Sequence, residues 1–180
     1  TLVFAASAGL AVGFVGGTLT GAGASATNYI GSTVVAAVES STLTGTASAP
    51  RLEVVASNTS AVLAVVGAAA LSAAGGLRAV SGAVAVALAK NTIDGWVDAH
   101  ILGSTVTGAD VIVRAVEDST IHAFTIAAAI SVAIGGAAIS VSGAGALAEN
   151  EITSTTTAYA QDSVLGTVAS SVVGVEVGAS

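Results

Sequence analysis

No cysteine and no methionine occur in the chain. The first absence removes disulfides and thiolate metal sites together. The second means that Thr1 is not a translation start, and no charged n-region with a cleavage site follows it, so any signal peptide lies outside this sequence. Charge is scarce as well: 8% of residues are charged, against roughly 25% in ordinary globular proteins. Only four residues are Lys or Arg, and the net charge is −7. That balance argues against nucleic acid, whose phosphates need cations, and against an anionic membrane surface. Three Phe, two Tyr and one Trp are the only aromatics, and proline occurs once. The Gly-rich runs are not phosphate loops, because no Gly-Lys-Ser/Thr follows them.

What remains is small and apolar. Ala, Val, Ile and Leu make up most of a 53% hydrophobic content, which suits a thin, repetitive interior. The organising stretch is Ala-x-Asn-x-Ile. It reads Ala26-Thr27-Asn28-Tyr29-Ile30, Ala89-Lys90-Asn91-Thr92-Ile93 and Ala148-Glu149-Asn150-Glu151-Ile152, with asparagines 63 and 59 residues apart. Leu2, Val65 and Phe124 stand at one fixed distance before them, each opening an Ala/Gly/Val run. Ser41-Thr42-Leu43-Thr44-Gly45 and Ser104-Thr105-Val106-Thr107-Gly108 follow at another, with Ser163-Val164-Leu165-Gly166 in the third copy. The chain is therefore a single array, 1–180, of three repeats: 1–63, 64–122 and 123–180. Four extra residues of the first repeat fall between Gly45 and Val55, around Ala49-Pro50-Arg51, and read as a surface loop. Neither end looks like a capping repeat, which points to a segment of a longer array or to a mature unit that joins head to tail.

Each repeat has two halves. The first is charge-poor (2–26, 65–89 and 124–148), and the second is β-patterned and holds most of the charge. In the second half, Val111-Ile112-Val113-Arg114-Ala115-Val116 and Val173-Gly174-Val175-Glu176-Val177 alternate as strands do. In the first half, Val80, Gly82, Val84, Val86 and Leu88 alternate with Ala79, Ser81, Ala83, Ala85 and Ala87, and parity switches after Gly135-Gly136. One large and one small face at period two indicates strands, with Gly-Gly at a corner. Both faces are apolar or small. One fills an interior, and the other must meet a neighbouring sheet, another chain or another array.

The predicted fold class is all-β: a parallel β-solenoid (β-helix) of three tandem repeats of about 60 residues. Strands of ~5–6 residues would make each repeat about three coils and the chain about nine. Equivalent asparagines would then lie three coils apart, out of contact. The competing architecture is membrane helices, because 1–38, 54–77 and 119–148 carry no Asp, Glu, Lys or Arg and contain small-xxx-small spacings such as Gly13-Phe14-Val15-Gly16-Gly17. Gly and Ser interruptions, period-two alternation and the lack of a positive-inside signal oppose it, so no membrane span is favoured.

The succession Ser81 to Ile93 (Ser-Gly-Ala-Val-Ala-Val-Ala-Leu-Ala-Lys-Asn-Thr-Ile), then Ser104 to Ala115, then Asp118-Ser119-Thr120-Ile121, resembles the repeats of giant exported bacterial proteins. These are the adhesin-like and autotransporter-like β-solenoids of the cell surface. The resemblance covers nearly the whole chain, departing at Thr153 to Ala160 and at the proline insertion. It implies an extracellular, fibrous or surface-coating role with no catalytic residues to carry over.

Candidate chemistry is sparse. His100 and His122 lack a metal-ligand spacing and align with Ala37 and Leu63, so they read as outward variable positions. Asp94, Asp98, Asp110, Glu117 and Asp118 form the densest acidic region, which reads as a solvated face, with calcium as the one cofactor it would suit. Thr42-x-Thr44 and Thr105-x-Thr107 recur too rarely for an ice-binding row. Asn58-Thr59-Ser60 fits the N-glycosylation pattern, and Trp96 is a local packing residue aligned with Thr33 and Thr155. No catalytic, cofactor-binding or metal site is assigned, and the chain is not expected to be an enzyme. The expected function is a structural or adhesive extracellular element that self-associates through apolar faces into a fibre, sheath or tube. Its partners are copies of itself and another cell surface. A calcium- or carbohydrate-binding surface module and a small-residue-rich helical membrane protein are the alternatives.

Overall fold

The computed structural model describes residues 1–46, 50–166 and 174–180. Ala49 of the insertion and Val173 of the last alternating run lie outside them. Every element among the described residues is a strand, in the order β1 (Leu2–Val12), β2 (Val15–Glu39), β3 (Thr42–Thr44), β4 (Arg51–Gly75), β5 (Arg78–Leu102), β6 (Thr105–Thr107), β7 (Asp110–Ile134), β8 (Ala137–Gln161), β9 (Val164–Leu165) and β10 (Val175–Ala179). They form three sheets: β1-β4-β7-β10, β2-β5-β8 and β3-β6-β9. Pairing is parallel and joins each residue to its equivalent one repeat later, as in Leu2 with Val65 and Thr42 with Thr105. The chain is a parallel β-solenoid, and no helix among the described residues is long and apolar enough to cross a membrane. The helical alternative does not hold.

One repeat is one coil, not three. The second and third coils each have two strands of 25 residues and a short third one, and β1 of the first has 11. The long strands run through Asn28, Gly31, Asn91 and Asp94-Gly95 without a turn. The alternation of inward and outward side chains continues from the charge-poor half into the β-patterned half, so Asn28, Asn91 and Asn150 sit mid-strand. Equivalent asparagines are therefore stacked neighbours, and they touch.

Corners are where the glycines are needed. A Cβ on Gly76 would run into the carbonyl oxygen of Gly13 in the coil beside it, and one on Gly135 into that of Gly76. The other long corner takes a left-handed residue at the same place in each coil, at Ser40, Gly103 and Asp162. Beside it the serines form a ladder: the Ser41 amide donates to Ser104 Oγ at 3.1 Å, and the Ser104 amide to Ser163 Oγ at 3.2 Å. The first repeat's extra residues do lie between β3 and β4, because β3 pairs with β6 at the longer spacing while Asn58 on β4 already meets Glu117 on β7 at the shorter one.

The chain divides into two compact units, each drawing on all three repeats: unit 1 is Thr1–Asn28, Val62–Thr92 and Ile121–Glu151, and unit 2 is Tyr29–Ala61, Ile93–Thr120 and Ile152–Ser180. Unit 1 is filled by alanine, with Ala68, Ala70, Ala83, Ala85, Ala87 and Ala89 at its centre and Val66 the largest buried member. Thr18 and Ser72 hydroxyls touch across its two sheets at 2.6 Å, and Ser81 bonds Ser131. Such short side chains can meet only if the sheets lie closer than the usual ~10 Å. Unit 2 is filled by larger aliphatics: Val54, Val97, Ile101, Val106, Val111 and Val113.

Candidate functional surface

Unit 1 turns its small side chains inward and its large ones outward. On the outer face of β1, β4 and β7, Leu2, Phe4, Leu10, Leu71, Phe124, Ile126 and Ile130 are all exposed. Their inward neighbours are Ala, Ser, Thr and Gly9, with Val3 and Val66 the larger exceptions. On the outer face of β2 and β5, Leu19, Val80, Val84 and Leu88 are exposed over Thr, Ala and Ser, and Ile139 and Leu147 hold equivalent places on β8, where both parities of unit 1 are exposed. Leu71 is 48% exposed while Ala70 beside it is 4%. A water-solvated sandwich places these residues the other way round. Isolated exposed hydrophobics need no explanation, but two contiguous apolar sheet faces on one unit mark an interaction surface.

Charge confirms the division. Unit 1 holds Arg78, Lys90, Glu149 and Glu151, so its formal charge is zero, and the whole −7 belongs to unit 2. Arg78 opens β5 at the glycine corner, and Lys90 pairs with Glu149 at 3.2 Å near the asparagine level. Between residues 78 and 90 the outer positions of β5 are Val80, Gly82, Val84, Val86 and Leu88.

The asparagines form an internal ladder. Asn28 Nδ2 donates to Asn91 Oδ1 at 2.7 Å, and Asn91 Nδ2 to Asn150 Oδ1 at 2.8 Å. Asn91 is wholly buried. A primary amide can donate to one neighbour and accept from the other at the ~4.8 Å strand spacing. The motif that organises the sequence is thus a structural spine.

Unit 2 contains the polar constellations. His100 lies on the outer face of β5 yet is buried, with Nδ1 2.7 Å from Asp98 Oδ2 and Nε2 2.9 Å from Glu39 Oε1. Thr157 Oγ1 donates to Asp98 Oδ1 at 2.6 Å, and Tyr159 stacks on the imidazole at 5.1 Å. The hydrogen bond to Glu39 raises the His100 pKa, partly opposed by burial and assisted by Asp98. Both ring nitrogens are engaged by carboxylates, so neither is left to bind a metal or activate a nucleophile. Reading His100 as an outward variable position missed its partners: Asp98 two residues along β5, and Glu39 and Tyr159 from the equivalent strands of adjacent repeats.

Glu117 points into the coil. Asn58 Nδ2 donates to its two carboxylate oxygens at 3.0 and 2.8 Å and to Ser32 Oγ at 2.8 Å, and Ser119 also bonds the carboxylate. A Cβ on Gly95 would press on that carboxylate at 3.0 Å, where the other coils have Ser32 and Ser154. The glycine makes room for the longer acid. Asn58 is committed inward, which contradicts its reading as a glycosylation site.

The acidic region is not one solvated face. Asp94 and Asp98 face outward from β5, Asp110 and Asp118 outward from β7, and Glu117 inward. Among the described residues no group of three His, Cys, Asp or Glu is arranged to hold a metal ion. Thr42, Thr44, Thr105 and Thr107 pair on β3 and β6. Trp96 is outward and 54% exposed, and His122 is outward and exposed. Comparison of the chain with protein-family models, with curated proteins and with solved structures finds no match.

Proposed function

We propose that this chain is a non-catalytic structural element of an extracellular or cell-surface assembly, built by association of copies of itself through the outer faces of unit 1. One observation carries the reading: the largest apolar side chains of unit 1 point out of an alanine-filled interior. Water would penalise that arrangement at roughly 25 cal/mol per Å² of apolar surface, and covering the faces recovers it. The asparagine and serine ladders suit a load-bearing stack, and the resemblance to exported bacterial β-solenoids supports an adhesive or surface-coating setting. Sedimentation velocity across a concentration series tests the proposal. Association that Leu71→Asp and Val84→Asp together abolish, one change on each outer face and with the fold intact, supports it. A monomer at every concentration contradicts it.

The length of the apolar band favours a second reading. Leu2 to Val12 and Phe124 to Ile134 each extend ~33 Å at ~3.3 Å per residue, close to the ~30 Å hydrocarbon core of a bilayer. Flotation with phosphatidylcholine vesicles in place of self-association would select lipid as the cover.

A further inference from the structure

We infer that two copies pair face to face, with strands antiparallel, through the outer face of β2, β5 and β8 in unit 1. This rests on the self-association proposed above and assigns it a face, an orientation and a partner, a second copy of this chain.

Three observations lead there. The face is apolar between Arg78 and Lys90, and it belongs to the neutral unit of a chain whose net charge is −7. Copies approaching through unit 2 would meet like charge, whereas approach through unit 1 meets none. The ends of the face are complementary. Arg78 stands alone at one end, while Glu149 and Glu151 outnumber Lys90 at the other. Antiparallel pairing sets the cationic end of each copy on the acidic end of the other, and parallel pairing sets Arg78 on Arg78.

Relief supplies the third. Val84 and Val86 stand out from the middle strand, flanked in register by Gly21 and Gly23 on β2 and by Gly143 and Gly145 on β8. Nothing lies within 4 Å of where a Cβ would stand on any of these four glycines. When the faces are displaced by one strand, ~4.8 Å, the ridge of one copy fits the β2 channel of the other, whose own ridge fits the β8 channel of the first. One face supplies both ridge and channel, and the contact is heterologous, leaving the outermost channel of each copy uncovered. A hydrocarbon cover has no use for the channels, which cost strand propensity.

The seven outward-facing levels from Arg78 to Lys90, ~6.6 Å apart, cover roughly 440 Å² over the two strands that overlap, near half of the ~800 Å² per partner of a standard interface. A pair of isolated chains is therefore weak, and further coils strengthen it.

Gly145→Val separates pairing from folding. The site is open, so valine raises strand propensity and the melting temperature stays equal or rises. The same methyl groups fill the channel, and dimerisation by sedimentation weakens about tenfold. Arg78→Glu weakens it too, and Glu151→Arg in the same chain restores it. Unchanged or tighter dimerisation in Gly145→Val overturns the inference. If wild type associates but ignores both changes, another face is used and the self-association proposal survives. If wild type stays monomeric, both fail.

Discussion

Units 1 and 2 share their strands and their alternation, yet they assign large and small residues oppositely. In unit 2 Val97, Ile101, Val111 and Val113 are buried, and Arg114 and Asp94 face out. In unit 1 alanines and hydroxyls are buried, and Leu, Ile and Phe face out. The cause is the period of two. Ile93, Val97 and Ile101 hold the odd positions of β5 inward, so Ala79 to Ala89 must follow, and Val80 to Leu88 are committed to the outside. A slip of one residue would reverse both units together, burying Asp94 and expelling Ile101. Unit 1 accepts exposed apolar faces because unit 2 fixes the register. Those faces persist without penalty where assembly covers them.

The largest effect should come from enlarging the contrast in unit 2. Ile101→Ala opens a cavity among Val97, Val106 and Val111 and should cost about 2–5 kcal/mol in denaturant unfolding. Next comes the reverse change in unit 1. Ala85→Leu forces bulk between closely spaced sheets and should cost about 1–3 kcal/mol or more, whereas a loosely packed unit 1 would absorb it. Asn91→Ala, between the two neighbours of the spine, strands the amide of Asn28 and the carbonyl of Asn150, for about 1–3 kcal/mol. Asn91→Ala without a change in stability would show that the ladder is incidental.

The smallest effect is pH-dependent and confined to unit 2. His100 has a pKa raised above 6.5 by Glu39 and Asp98. Its protonated form is the one the fold stabilises, so that contribution is complete below pH 6.5 and fades as pH rises through the raised value. Wild type should lose a small increment of stability over that rise, and His100→Asn should not. A melting temperature that climbs over the same interval in wild type alone would reverse the assignment.

Much of this was legible in the sequence. The repeat spacing, the parallel stacking, the glycine corners and the longer spacing of the first repeat all follow from aligned residues. Strand length did not, because a strand ends where a corner residue intervenes, and Asn28, Asn91 and Asn150 look like punctuation while acting as mid-strand rungs. Taking them as boundaries cut each coil into three and separated residues that touch. Once the strands are known to run unbroken, the parity of Ile101 determines that Leu88 faces out. The His100 and Glu117 clusters were hidden for a related reason. Each joins residues one full repeat apart, Glu39 with His100 and Asn58 with Glu117, and only a coil of one repeat brings them together.

The outward placement of unit 1's large side chains is tested most directly by cysteine accessibility, since the chain has no thiol of its own. Single variants Ala85→Cys and Val84→Cys are compared for maleimide labelling, dispersed at low concentration and after assembly. Residue 85 is expected to be protected in both states, and residue 84 to react when dispersed and to be protected on assembly. Labelling at 85 with protection at 84 in the dispersed chain would contradict that placement.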